Sequence, residues 1–91
     1  MKSVKVKIRN KLGLHARPAM TFAETASRFA SVIRVRRTDA NKPVDGKSIM
    51  QILMLAGTKG TELEISAEGD DEQQAVAALK ALVRDKFEEG D

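Results

Sequence analysis

Three short stretches of this chain alternate apolar and charged side chains residue by residue, and that period limits the fold more than any other feature. Val4, Val6 and Ile8 alternate with Lys5, Lys7 and Arg9. Ile33 and Val35 alternate with Arg34 and Arg36, within a segment running from Val32 to Arg36. Leu63, Ile65 and Ala67 alternate with Glu62, Glu64 and Ser66, in a segment running from Thr61 to Ala67. A period of two is that of a strand with one buried and one wet face, so each segment must cover its apolar side and leave the other open. Strands of this kind belong to an antiparallel sheet covered on one side, not to a parallel sheet buried on both.

The intervening segments supply the cover. From Ala16 onward Ala19, Phe22, Ala23, Ala26 and Phe29 recur at helical spacing, as do Ala75, Val76, Leu79, Leu82 and Val83 near the end. These are two amphipathic helices. Asn10-Lys11-Leu12-Gly13 and Asp39-Ala40-Asn41-Lys42-Pro43 carry turn chemistry, and Pro43 confines any following strand to a short piece at a sheet edge. Ser48-Ile49-Met50-Gln51 matches a capping box, which predicts a short helix ending near Gly57. Asp70, Asp71 and Glu72 put negative charge where the last helix starts, as the macrodipole favours.

The expected order is βαββαβα, an α+β open-faced sandwich of four antiparallel strands with three helices on one face. A split βαβ arrangement would set the last strand beside the first, with Glu62 and Glu64 near Lys5 and Lys7. At 91 residues there is room for one domain, spanning residues 1–91, with a single shared core. The alternating start lacks a secretory leader's apolar run, and the longest apolar run, Ile52 to Ala56, is too short for a bilayer. Together with the absence of cysteine, this predicts a cytoplasmic protein without disulfides or thiolate metal sites. The net charge of +3 is small and only weakly suggests an acidic partner.

His15, the only histidine, stands immediately before the first helix in Gly13-Leu14-His15-Ala16-Arg17-Pro18-Ala19. A lone histidine is more often a solvated or capping side chain than a reactive one. Here its position argues otherwise. First-turn amides, those of Ala16 and Arg17, lack intrahelical acceptors and form an anion site beside the imidazole, and Pro18 costs the ladder nothing at such a position. Histidine changes charge near neutral pH, so a neutral ring nitrogen is available to attack phosphorus. Arg17 offers a planar fork to phosphoryl oxygens. Thus His15 is the expected nucleophile and phosphoryl acceptor, and Arg17 the stabiliser of the transferred group. No second histidine, clustered carboxylates or Gly-rich phosphate loop accompanies them, which argues against a self-contained hydrolase or kinase and against a metal site or cofactor.

Leu14-His15-Ala16-Arg17-Pro18-Ala19 resembles the phosphorylation motif of the HPr phosphocarriers, and the likeness runs through the whole chain. Lys47-Ser48-Ile49-Met50 is similar to that family's regulatory serine segment, and Ile65-Ser66-Ala67-Glu68-Gly69 to its usual ending. The resemblance implies that enzyme I, charged by phosphoenolpyruvate, phosphorylates His15 at its pros nitrogen, and that enzyme II A components take the group for sugar uptake. It implies a docking patch at Met20, Ile49, Met50 and Leu53, whose bland alternative is ordinary core packing. It implies Ser48 as a target of an HPr kinase/phosphorylase, with a transcriptional regulator downstream, and a monomer that enters no membrane. Ser48 is also a plain N-cap. Two departures stand out: the loop from Thr38 to Gly46 is long for the family, and Glu24 and Ser27 stand where many members carry lysines. The segment from Asn10 to Met20 resembles the nitrogen-branch relative NPr, whereas the ending is similar to sugar-branch members. Competing readings are a purely regulatory binder acting through Ser48 and a nucleic-acid-binding module. Phe22, Phe29 and Phe87, the only aromatic residues, all fall in expected helices, which leaves the sheet without stacking platforms and speaks against nucleic acid.

Overall fold

The structure, a computed structural model, describes residues 1–55 and 57–88. Its elements run β1 (Lys2–Lys7), α1 (Ala16–Ala26), β2 (Val32–Arg37), β3 (Val44–Asp45), α2 (Ile49–Met54), β4 (Glu62–Glu68) and α3 (Glu72–Arg84), followed by a short 3-10 turn at Lys86–Glu88. The four strands form one antiparallel sheet in the order β1-β4-β2-β3. The expected βαββαβα sandwich is therefore the observed fold. The cover and the sheet share one apolar cluster: Val6, Ile33, Val35, Leu63, Ile65 and Ala67 from the strands meet Ala19, Phe22, Ala23 and Ala26 of α1, Ile52 of α2, and Ala75, Val76, Leu79 and Val83 of α3. All three helices lie on that side, and Pro43 is followed by a strand of two residues at the sheet edge.

Register fixes the wet face. Lys5 lies opposite Glu64 and Lys7 opposite Glu62, as the period of the two strands requires. Glu64 also faces Arg36 across β2, and the close ion pair is this one, with Arg36 Nε donating to Glu64 Oε1 at 2.8 Å. Both side chains are partly solvated, so the pair contributes about 0–1 kcal/mol and serves mainly to fix geometry.

Some sequence expectations are corrected. The capping box is half made: Ser48 Oγ accepts from Gln51 N, but Gln51 Oε1 accepts from Asp45 N at 2.9 Å instead of reaching back to Ser48. Ser48 N is already bound to Asp45 O, which removes the reason for the return bond. Helix α2 stops at Met54, and Gly57 is not in the left-handed region; a Cβ there would lie 2.6 Å from Ile8 Cδ1, so its smallness serves close packing. Negative charge does stand at the start of α3, with Asp71 at its N-cap and Glu72 in its first turn, but the Asp71 side chain makes no capping bond. Its carboxylate instead accepts from Ala30 N at 2.8 Å and from the amide and hydroxyl of Ser31, tying the start of β2 to the start of α3. Those bonds, that of Ser31 Oγ foremost, hold the Asp71 carboxyl below its ordinary value. Of the three phenylalanines only Phe22 lies in an α-helix. Phe29 follows α1 in a turn, and Phe87 is buried in the 3-10 segment with φ +56.

Candidate functional site at the start of the first helix

The chain reaches α1 through a loop held at both ends. Asn10, wholly buried, donates from Nδ2 to Gly13 O at 2.7 Å, and Gly13 N returns a bond to Asn10 O. Gly13 has φ +70 and lies against the 57–58 backbone so closely that a Cβ would stand 2.4 Å from Gly57 O. Leu14 N donates to the same carbonyl at 2.9 Å, and the Leu14 side chain is in the core. The residue after this anchored leucine is His15.

His15 is the N-cap of α1, with extended backbone at φ −85 and ψ −172, and its imidazole makes no capping bond to the helix. The side chain is half-buried, with Nε2 turned away from solvent. His15 O accepts the first intrahelical bond, from Ala19 N at 3.0 Å. The amides of Ala16 and Arg17 make no hydrogen bond among the described residues, Pro18 has none to make, and the first turn carries no acidic side chain. An electropositive helix start is thus left open beside the imidazole. Arg17 is exposed, and its guanidinium makes no hydrogen bond or ion pair among the described residues; only its carbonyl is engaged, by Thr21 Oγ1. The free fork and the open amides sit on neighbouring residues, an arrangement suited to a tetrahedral anion.

Helix α2 packs against α1, and the two share an apolar surface. Met20 of α1 is 44% exposed, Met50 and Met54 of α2 are 73% and 76% exposed, and Ile49 also faces solvent. Leu53 instead packs partly into the core. Met54 is the residue that sequence reasoning passed over, although its i, i+4 spacing from Met50 puts both on one face of the helix. Ser48, half-buried, begins α2. Beside it Asp45 Oδ1 accepts from Lys47 N, and Lys47 Nζ binds Phe29 O at 2.7 Å. Among the described residues no group of three or more His, Asp or Glu side chains is placed to hold a metal ion.

A model of the PTS HPr component phosphorylation site matches residues 2–85. This chain belongs to the HPr family. The phosphocarrier protein HPr of Pseudomonas aeruginosa is 45% identical over 91 residues, the whole of both chains. NPr of Escherichia coli K12 is 39% identical over 84 residues, covering 92% of each chain. Among solved structures, HPr from Thermoanaerobacter tengcongensis superposes with a TM-score of 0.91 at 50% identity, covering 98% of both chains. As an HPr-family protein the chain is a phosphocarrier of the phosphotransferase system. Among its described residues no helix is long and apolar enough to cross a membrane.

Proposed function

We propose that this protein is the cytoplasmic carrier of a sugar phosphotransferase system, in which His15 takes a phosphoryl group from enzyme I and passes it to enzyme II A components. The observation that carries the reading is His15 at an uncapped, acid-free helix start with Nε2 buried. A donor arriving from solvent has no approach to Nε2, which leaves Nδ1 as the nucleophile. Its lone pair forms the new N–P bond while the bond from phosphorus to the donor side chain breaks, and the electron pair leaves with the donor. The Ala16 and Arg17 amides and the Arg17 fork meet the phosphoryl oxygens, so the barrier is lowered by positioning and charge. The donor supplies the remainder of the site, and the exposed surface of Met20, Ile49, Met50 and Met54 is where such a partner docks. Higher identity to the Pseudomonas HPr than to the Escherichia coli NPr supports the sugar branch.

Ser48 is the regulatory position in this reading. It borders that docking surface, where a phosphate of roughly two negative charges would wet the apolar face and repel acidic partners. Incubation with enzyme I and phosphoenolpyruvate should add one acid-labile phosphoryl group, absent in His15→Ala. Retention of the label in His15→Ala would overturn the assignment. Arg17→Ala should slow transfer about ten-fold, the equivalent of about 1.4 kcal/mol, without unfolding the protein. Unchanged kinetics would remove Arg17 from the mechanism.

A further inference from the structure

The helix-free face of the sheet carries a cleft of about 260 Å³, on the side away from the helix that His15 begins and lined by Arg34, Arg36, Asn41, Pro43, Glu64 and Ser66. One wall is built by the chain between β2 and β3. Arg36 fixes that wall, because its Nη1 donates to Arg37 O and Ala40 O while its Nε holds Glu64. Arg36 thereby spends its Nε and Nη1 within the fold, and the Glu64 charge is paired in place.

The other polar groups of the cleft are not committed. Arg34 is exposed, and its guanidinium makes no hydrogen bond or ion pair among the described residues. Its neighbours across the strands are Ser66 on β4 and Asp45 on β3. The Asp45 carboxylate accepts from Lys47 N through Oδ1 and forms no close ion pair with Arg34. The Ser66 hydroxyl and the Asn41 carboxamide likewise lack hydrogen-bonded partners among the described residues. Three segments therefore bring a cation without a close ion pair, a hydroxyl and an amide to one concavity, next to a paired carboxylate with an oxygen to spare.

The geometry points to a binding site for the phosphate monoester of a small polyhydroxylated molecule of monosaccharide size. Arg34 would take two phosphate oxygens in its fork and Ser66 the third, a set that a tetrahedral anion fills and a planar carboxylate does not. Asn41 and the spare Glu64 oxygen supply a donor and acceptors for hydroxyl groups, which gives the ligand's neutral end a role. The volume is below that of the usual drug-sized pocket, which limits the occupant to about one sugar ring. The site lies on the face opposite the helices, so it stands or falls independently of the carrier reading.

The test is a titration of the 15N-labelled protein with glucose 6-phosphate, and separately with glucose and with inorganic phosphate, followed by amide chemical shifts. Glucose 6-phosphate should shift Arg34, Asn41 and Ser66 saturably, with glucose and inorganic phosphate each binding at least about ten-fold more weakly. Arg34→Gln, a solvent-facing change, should weaken binding about ten-fold or more, and Asn41→Ala in the connecting segment should weaken it several-fold, both with the spectrum of the folded protein retained. No saturating shift at these residues up to about 20 mM would overturn the site. Shifts confined to residues 15–17 would do the same, as would equal affinity for inorganic phosphate or for glucose.

Discussion

Replacing Gly13 by alanine tests whether the loop before His15 is held as tightly as its geometry indicates. Two costs add. The residue sits at φ +70, where a Cβ costs about 1–2 kcal/mol. That Cβ would also stand 2.4 Å from Gly57 O and 2.8 Å from Thr58 Cα, both backbone, so the two loops must separate. Overpacking of this kind costs about 1–3 kcal/mol, giving about 2–5 kcal/mol in all. For a domain of this size even the lower figure should depress Tm by about 8 °C or more. Separation of the loops also strains the bond from Leu14 N to Gly57 O, and with it the placement of the residue that follows. Urea unfolding and calorimetry give the stability, and transfer from enzyme I to the folded fraction gives the functional effect, which should be a clear loss of rate. A variant within about 0.5 kcal/mol of the parent, transferring at the parent rate, would show that the loop is pliable and the reasoning wrong.

Ser48→Ala should lower stability by about 0.5–2 kcal/mol through loss of the cap to Gln51 N, measured by urea denaturation. Since the Asp71 carboxyl is held below its ordinary value, chiefly by Ser31 Oγ, its stabilising contribution is full above the unfolded-state value near ~3.9 and is lost as pH falls through the lower folded-state value. Asp71→Asn should accordingly flatten the fall of Tm below about pH 4; an unchanged acid limb would rule the carboxylate out as its cause. Met54→Lys, on an exposed side chain, should leave stability within about 0.5 kcal/mol of the parent while slowing exchange with enzyme I, and parental exchange would place Met54 outside the docking surface.

The sheet was legible because its signal is local and periodic. Alternation in β1 and β4 specified both the buried face and the pairing of Lys5 with Glu64 and Lys7 with Glu62. The position of His15 at a helix start was legible for a similar reason, since Pro18 and the apolar stripe after it mark the first turn. What escaped was the choice of partner that each polar side chain makes once the chain is folded. Asp71 had the composition of a macrodipole partner, yet its oxygens bind residues 40 positions earlier in the chain, at Ser31. Gln51 had the spacing of a capping box but accepts from the Asp45 amide six residues earlier, where β3 ends. Asn10 looked like a turn residue and is a buried clamp on Gly13. Met54 could have been found from its spacing to Met50, but sequence does not reveal which side of a short helix is covered.

Strand β4 lies between β1 and β2, and it is the last strand to be synthesised. The first segment to leave the ribosome therefore has no neighbour to pair with until residues 62–67 have emerged. Nucleation must await a long loop closure, so a prematurely terminated chain has no way to assemble the sheet against which the histidine loop is seated. Chains cut short before β4 would thus leave the apolar face of β1 and β2 uncovered, the kind of surface that aggregates or is degraded.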